Sequence, residues 1–102
     1  MTHRVLYTDN FTDEVRAQVA WLRKEGAPEH VIDAWFGRLF DVLDALSTFP
    51  HRCPIDAIER ERTGADIRKV IFETWIALYR VDDEQRLVYM LSFVNGPARS
   101  EA

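Results

Sequence analysis

Cysteine is nearly absent. Cys53 is the only one, so no internal disulfide can form and nothing calls for an oxidising compartment. Long apolar runs are missing too. No stretch approaches the length needed to cross a bilayer, and residues 1–10 lack the basic leader and apolar segment of a secretory signal. These absences point to a cytoplasmic protein with no membrane partner. There is also no excess of positive charge: 13 Lys and Arg stand against 17 Asp and Glu, a formal charge of −4. That argues against a broad phosphate-binding surface, because nonspecific nucleic-acid affinity comes from cations displacing counterions, although a local basic patch is still allowed. No phosphate-cradling glycine loop, nucleophile elbow or dinucleotide fingerprint occurs, so conventional cofactor enzymes drop out and no cofactor is expected.

What is present suits a small folded domain. In 102 residues, 47% are hydrophobic, and six Phe, three Tyr and three Trp are among them. This is too much apolar material for a disordered chain, and the length suits one core, so residues 1–102 read as one domain.

Val5, Leu6 and Tyr7 form a short strand signal near the start. Asp9, Asn10 and Thr12 follow as possible helix caps, Asp13 and Glu14 suit a first turn, and Phe11, Val15, Val19 and Leu22 recur at helical spacing. Arg23, Lys24 and Gly26 predict the end of that helix near Glu25, and Pro28 can open the next. There Val31, Trp35, Leu39, Val42, Leu46 and Phe49 make a stripe ended by Pro50, and Ile32, Phe36, Phe40 and Leu43 widen it. Core packing is its ordinary explanation.

Residues 50–66 show no period and read as a long loop. Three strands are then predicted over 67–72, 75–81 and 87–94, with turns at Glu73-Thr74 and at residues 82–85 and an irregular tail over 97–102. The fold class is therefore α+β, ordered β-α-α-β-β-β, with a helical hairpin on a mainly antiparallel four-stranded sheet.

Candidate chemistry is sparse. His51 and Cys53 share one loop with no second matched pair, so no metal site is expected. Asp41 with Asp44, and Asp82 with Asp83, suit solvation and turn formation better than acid–base work. A basic set remains: Arg52, Arg60, Arg62, Arg68, Lys69, Arg80 and Arg99. Arg60 and Arg62 are flanked by Glu59 and Glu61, so ion pairing explains them. Arg68 and Arg80 interrupt apolar strands, where a charge needs a partner or a purpose.

Arg4-Val5-Leu6-Tyr7-Thr8 opens a helix, Leu46-Ser47-Thr48-Phe49-Pro50 closes a hairpin, and Ile67-Arg68-Lys69-Val70 and Leu78-Tyr79-Arg80-Val81-Asp82 follow. In these motifs the chain resembles the RelE/ParE superfamily of toxins from bacterial type II toxin–antitoxin modules, across nearly its whole length. The resemblance implies a growth inhibitor of the plasmid-stabilising kind, neutralised by a cognate antitoxin that adds a strand or fills a groove. Ile32, Phe36 and Phe40 are the antitoxin-contact candidates.

Two targets divide the superfamily. A ParE-like protein inhibits by binding DNA gyrase, with Arg68, Arg80 and Arg99 as contact candidates. A RelE-like protein cleaves mRNA on the ribosome, and Arg62, Arg68 and Arg80 would then steady the phosphate. The last strand runs Phe93-Val94-Asn95-Gly96 without the histidine or tyrosine such nucleases often carry there, and Asn95 exchanges no proton near neutral pH. Tyr89, earlier in the strand, reads as packing. The ParE-like, non-enzymatic reading is therefore the first expectation, the nuclease the second, and a nontoxic antitoxin-binding relative the third.

Overall fold

The computed structural model describes residues 2–99, with only the backbone described for Ala98 and Arg99. Strand β1, Arg4–Tyr7, leads through Thr8 into helix α1, Asp9–Lys24. Asp9, Asn10 and Thr12 are all inside the helix, and the cap is Thr8. Its extended backbone ends the strand, and its hydroxyl accepts the Phe11 N–H at 3.2 Å while donating to the Met90 carbonyl at 2.8 Å. One side chain thus caps a helix and ties it to a strand. Asp9 in the first turn and Arg23 and Lys24 in the last suit the helix dipole, and Gly26, at φ +89°, turns the chain after Glu25.

Helix α2, Glu29–Asp44, starts after Pro28, whose carbonyl accepts from the amides of Val31 and Ile32. Its buried face is Ile32, Trp35, Leu39 and Leu43. That face is rotated from the expected stripe, since Val31 and Phe49 are exposed and Ile32 takes the inner place. A 3-10 turn, Ala45–Ser47, tightens the end before Pro50.

The segment read as loop contains a third helix, α3, Ala57–Thr63. Its seven residues bury nothing, so they have no apolar period to reveal them. Local signals make it: the Asp56 carboxylate accepts the Glu59 N–H at 2.8 Å, and Gly64, at φ +76°, closes the other end.

Strands β2, Ile67–Phe72, β3, Trp75–Asp82, and β4, Leu87–Asn95, complete a four-stranded sheet. The order is β1-β4-β3-β2, with β1 parallel to β4 and the other pairs antiparallel. In place of a wholly irregular tail, Gly96–Arg99 forms a short helix, α4. Residues 100–102 of that expected tail lie outside the described residues.

The register between β3 and β4 shifts at Leu78/Tyr79: Leu78 pairs with Ser92 and Tyr79 with Met90, so Leu91 is an extra residue. Helix α1 supplies partners for this bulge. Asn10 Nδ2 donates to the Leu91 carbonyl at 2.8 Å, and Glu14 Oε1 accepts the Phe93 N–H at 2.9 Å. The free edge of β2 is also managed. Asp56 donates its N–H to Ile67 O, Lys69 donates to Pro54 O, and Ile55 bridges to Arg68, so residues 54–56 run along that edge.

The core lies between the helical hairpin and one sheet face. Phe11, Val15, Ile32, Trp35, Leu39 and Leu43 from the helices meet Phe72, Ala77, Tyr79, Val88, Met90 and Phe93 from the strands. Phe93 stacks on Trp75 and meets Phe11 and Trp35 edge-on.

Candidate functional site

Two successive rows across the sheet decide where the candidate arginines point. Arg68, Tyr79, Met90 and Tyr7 form one row, and Ile67, Arg80, Tyr89 and Leu6 form the next. Because neighbouring residues of a strand face opposite sides, Arg68 lies on the helix-facing side and Arg80 on the outer side.

On the inner side, the Arg68 guanidinium donates to the carbonyls of Cys53 at 2.6 Å and His51 at 3.3 Å. Beside it, the buried Tyr79 hydroxyl donates to the Pro50 carbonyl at 2.8 Å. Burial pushes the Tyr79 phenol far up, and its hydrogen bond and charge interaction with Cys53 add to this. Two side chains therefore grip residues 50–53. The purpose of the charge at Arg68 is to hold this backbone.

On the outer side, Arg80 is exposed and its guanidinium carbon sits 4.7 Å above the centre of the Tyr89 ring. Tyr89, expected to be packing, is half-buried and supports this cation. Only strand pairing brings the two together, since they are nine positions apart in sequence and opposed in register.

The other candidates are dispersed. Arg62 is on α3, paired to Glu59 at 2.6 Å, one of its flanking acids, and Arg60 pairs with Asp66, six residues on, at 3.1 Å. The glutamate bond raises the Arg62 pKa. The Arg99 side chain lies outside the described residues. The three arginines proposed to steady a phosphate thus do not converge: Arg68 and Arg80 face opposite ways, and Arg62 and Arg68 already have partners.

His51 joins Asp83 rather than Cys53. Asp83 accepts from His51 Nε2 at 2.9 Å and His3 Nε2 at 3.0 Å, and both bonds hold its carboxyl below the usual range. Asp82 shapes the turn by accepting the Gln85 N–H at 3.0 Å. Among the described residues, no group of three or more His, Cys, Asp or Glu can hold a metal ion, and no helix is long and apolar enough to cross a membrane.

The second surface is an apolar hollow of about 220 Å³ between α1 and α2, lined by Tyr7, Phe11, Val15, Phe36 and Phe40 with Thr12 and Arg16. Phe36 and Phe40 stack at 4.8 Å, and Tyr7 meets Phe40 edge-on at 5.4 Å. Phe36 is 39% exposed, whereas Ile32 is 2% exposed and belongs to the core. Of the three antitoxin-contact candidates, only Phe36 and Phe40 offer surface.

The comparisons accord with this architecture. The toxin–antitoxin complex RelBE2 from Mycobacterium tuberculosis contains a chain of the same fold, with a TM-score of 0.61, 21% identity, and coverage of 93% of this chain and 99% of that one. Among curated proteins, nothing matches. A family model described as the ParE toxin of the type II toxin–antitoxin system parDE matches residues 5–96. Since that match takes in β1 from Val5 onward, the other three strands and the three longer helices, the chain belongs to the ParE toxin family.

Proposed function

We propose that the protein is a growth-inhibiting toxin that acts by binding its target, DNA gyrase, and is neutralised by a cognate antitoxin. The observation that carries the binding mode is the dispersal of the arginines. Cleavage of RNA asks for several cations around one phosphate with a proton donor beside them. Arg68 is committed to loop carbonyls, Arg62 to Glu59, and Arg80 stands on the other face with Tyr89. A protein that inhibits by docking needs an exposed, shaped surface, and Arg80 over Tyr89 supplies a cationic anchor on an aromatic base. Family membership supports the toxin and ParE-like parts of this reading. The RelBE2 complex, of the same fold, supports the antitoxin partner.

A second reading, ribosome-dependent mRNA cleavage, draws on one observation: Tyr89, a phenol able to exchange a proton, lies beside Arg80. The test is induced expression in bacterial cells, following growth, DNA-damage signalling and mRNA cleavage with and without the product of the adjacent gene. Growth arrest with damage signalling, relieved by the neighbour, is expected. Codon-positioned cleavage without damage signalling supports the second reading. Binding of the neighbour without growth arrest identifies a nontoxic relative.

A further inference from the structure

Residues 49–53 are held more firmly than a connector requires. The carbonyls of Phe49, Pro50, His51 and Cys53 each have a donor: the Arg52 N–H, the Tyr79 hydroxyl and, for the last two, the Arg68 guanidinium. Asp83 fixes the His51 ring as well. What this backbone presents is apolar and cationic. Phe49 is 63% exposed, and the exposed Arg52 side chain has no hydrogen bond or salt bridge among the described residues. Arg52 lines two hollows at once. One, of about 420 Å³, is formed with Thr48, Phe49, Pro50 and His51. The other, of about 240 Å³, includes Val42, Leu46, Val70 and Ile71, and Ile71 is 65% exposed. Arg52 is the one permanently charged residue in either lining.

We infer that this surface is a second contact with the target, taking a segment of DNA gyrase that sets a carboxylate on Arg52 between apolar side chains entering the two hollows. The inference rests on the gyrase-binding reading and adds a contact site to Arg80. Aromatic residues and arginine dominate binding energy at interfaces, and a backbone fixed beforehand loses little entropy when it docks. Charge and position decide among occupants. A second copy docked symmetrically sets Arg52 against Arg52. A nucleic acid or an anionic bilayer calls for several cations, and these linings hold one. The hollow of Phe36 and Phe40 shares no lining residue with these two, and Val42 lies on the opposite side of α2 from Phe40. A partner seated in that hollow therefore does not account for this surface. A carboxylate flanked by apolar groups does, since it supplies the ion pair that Arg52 lacks within the chain.

The test is binding of purified DNA gyrase to the full-length protein and its variants, by calorimetry at about 50 mM and about 500 mM NaCl. Both changed side chains are exposed, and circular dichroism confirms that each variant is folded. Phe49→Ala is expected to weaken binding about fivefold or more at both salts. Arg52→Ala is expected to weaken it about fivefold or more at the lower salt and less at the higher, where the ion pair is screened. A control, Lys24→Ala at the end of α1, removes another exposed cation and is expected to leave affinity within about twofold. Both loop variants are expected to bind the product of the adjacent gene within about twofold of wild type, which separates this surface from the antitoxin's. Smaller losses of gyrase binding, a loss in Arg52→Ala that salt does not reduce, or an equal loss in Lys24→Ala overturn the inference and leave the gyrase reading standing. A parallel loss of binding to the neighbour's product also overturns it, giving the surface to the antitoxin. No binding of gyrase by the wild type overturns both.

Discussion

Arg68 and Arg80 interrupt apolar strands in the same way, yet they occupy opposite faces of the sheet: Arg68 pairs across to Tyr79, and Arg80 to Ile67. Their consequences should separate. Arg80→Ala removes an exposed cation from the Tyr89 ring and should abolish growth arrest while changing stability by about 1 kcal/mol or less. Arg68→Ala strips the donor from the Cys53 and His51 carbonyls and should lower stability by about 1–3 kcal/mol. Growth curves and urea unfolding check both, and the reverse pattern would place the functional cation on the inner face.

Tyr79→Phe tests the other grip on residues 50–53. The buried hydroxyl bonds the Pro50 carbonyl at 2.8 Å, and its removal leaves that acceptor without its donor. A loss of about 1–3 kcal/mol is expected in denaturant unfolding, with the slope unchanged. An unchanged midpoint would mean that the hydroxyl does not hold the segment.

Two glycines should respond with opposite signs. A Cβ on Gly96 would lie 2.9 Å from the Thr74 carbonyl oxygen, which also accepts the Gly96 N–H at 2.8 Å, so Gly96→Ala must displace backbone and should destabilise by about 1–3 kcal/mol. Gly37, in the middle of α2, has nothing within 4 Å of such a Cβ, and Gly37→Ala should stabilise by about 0.5–1 kcal/mol. Thermal unfolding of the two variants measures the contrast.

Much of this architecture is legible in the sequence because large apolar residues repeat where elements are buried. The three consecutive strands and the long α2 stripe are examples. Helix α3 is not, since Glu59, Arg60, Glu61 and Arg62 fill its centre and only the Asp56 and Gly64 caps define it. The row of capping residues from Thr8 to Thr12 likewise holds several plausible starts, and only the strand end at Tyr7 selects Thr8. Pairing register is a long-range property, so the Leu91 bulge, the Arg80–Tyr89 contact and the opposed directions of Arg68 and Arg80 required the folded sheet. The inward turn of Ile32 shows the same limit for a stripe wide enough to be rotated either way.

The Asp83 carboxylate gives a pH signature. Its hydrogen bonds to His51 and His3 lower its folded pKa from the ordinary 3.8. A lowered folded value means that the contribution is complete above the unfolded pKa and is lost as pH falls through the folded one. Stability should therefore decline below about pH 4 more steeply in the wild type than in Asp83→Asn, as measured by urea midpoints across the acid range. Parallel acid limbs would mean that the two imidazoles leave Asp83 unaffected.

The most direct test of inhibition by binding is a supercoiling assay with purified DNA gyrase, the purified wild-type protein and the Arg80→Ala variant. Inhibition by the wild type, lost in Arg80→Ala although that variant remains folded, is the predicted result. Undisturbed gyrase, together with discrete cleavage of translated mRNA by the same preparation, would contradict it and place the protein among the ribosome-dependent nucleases.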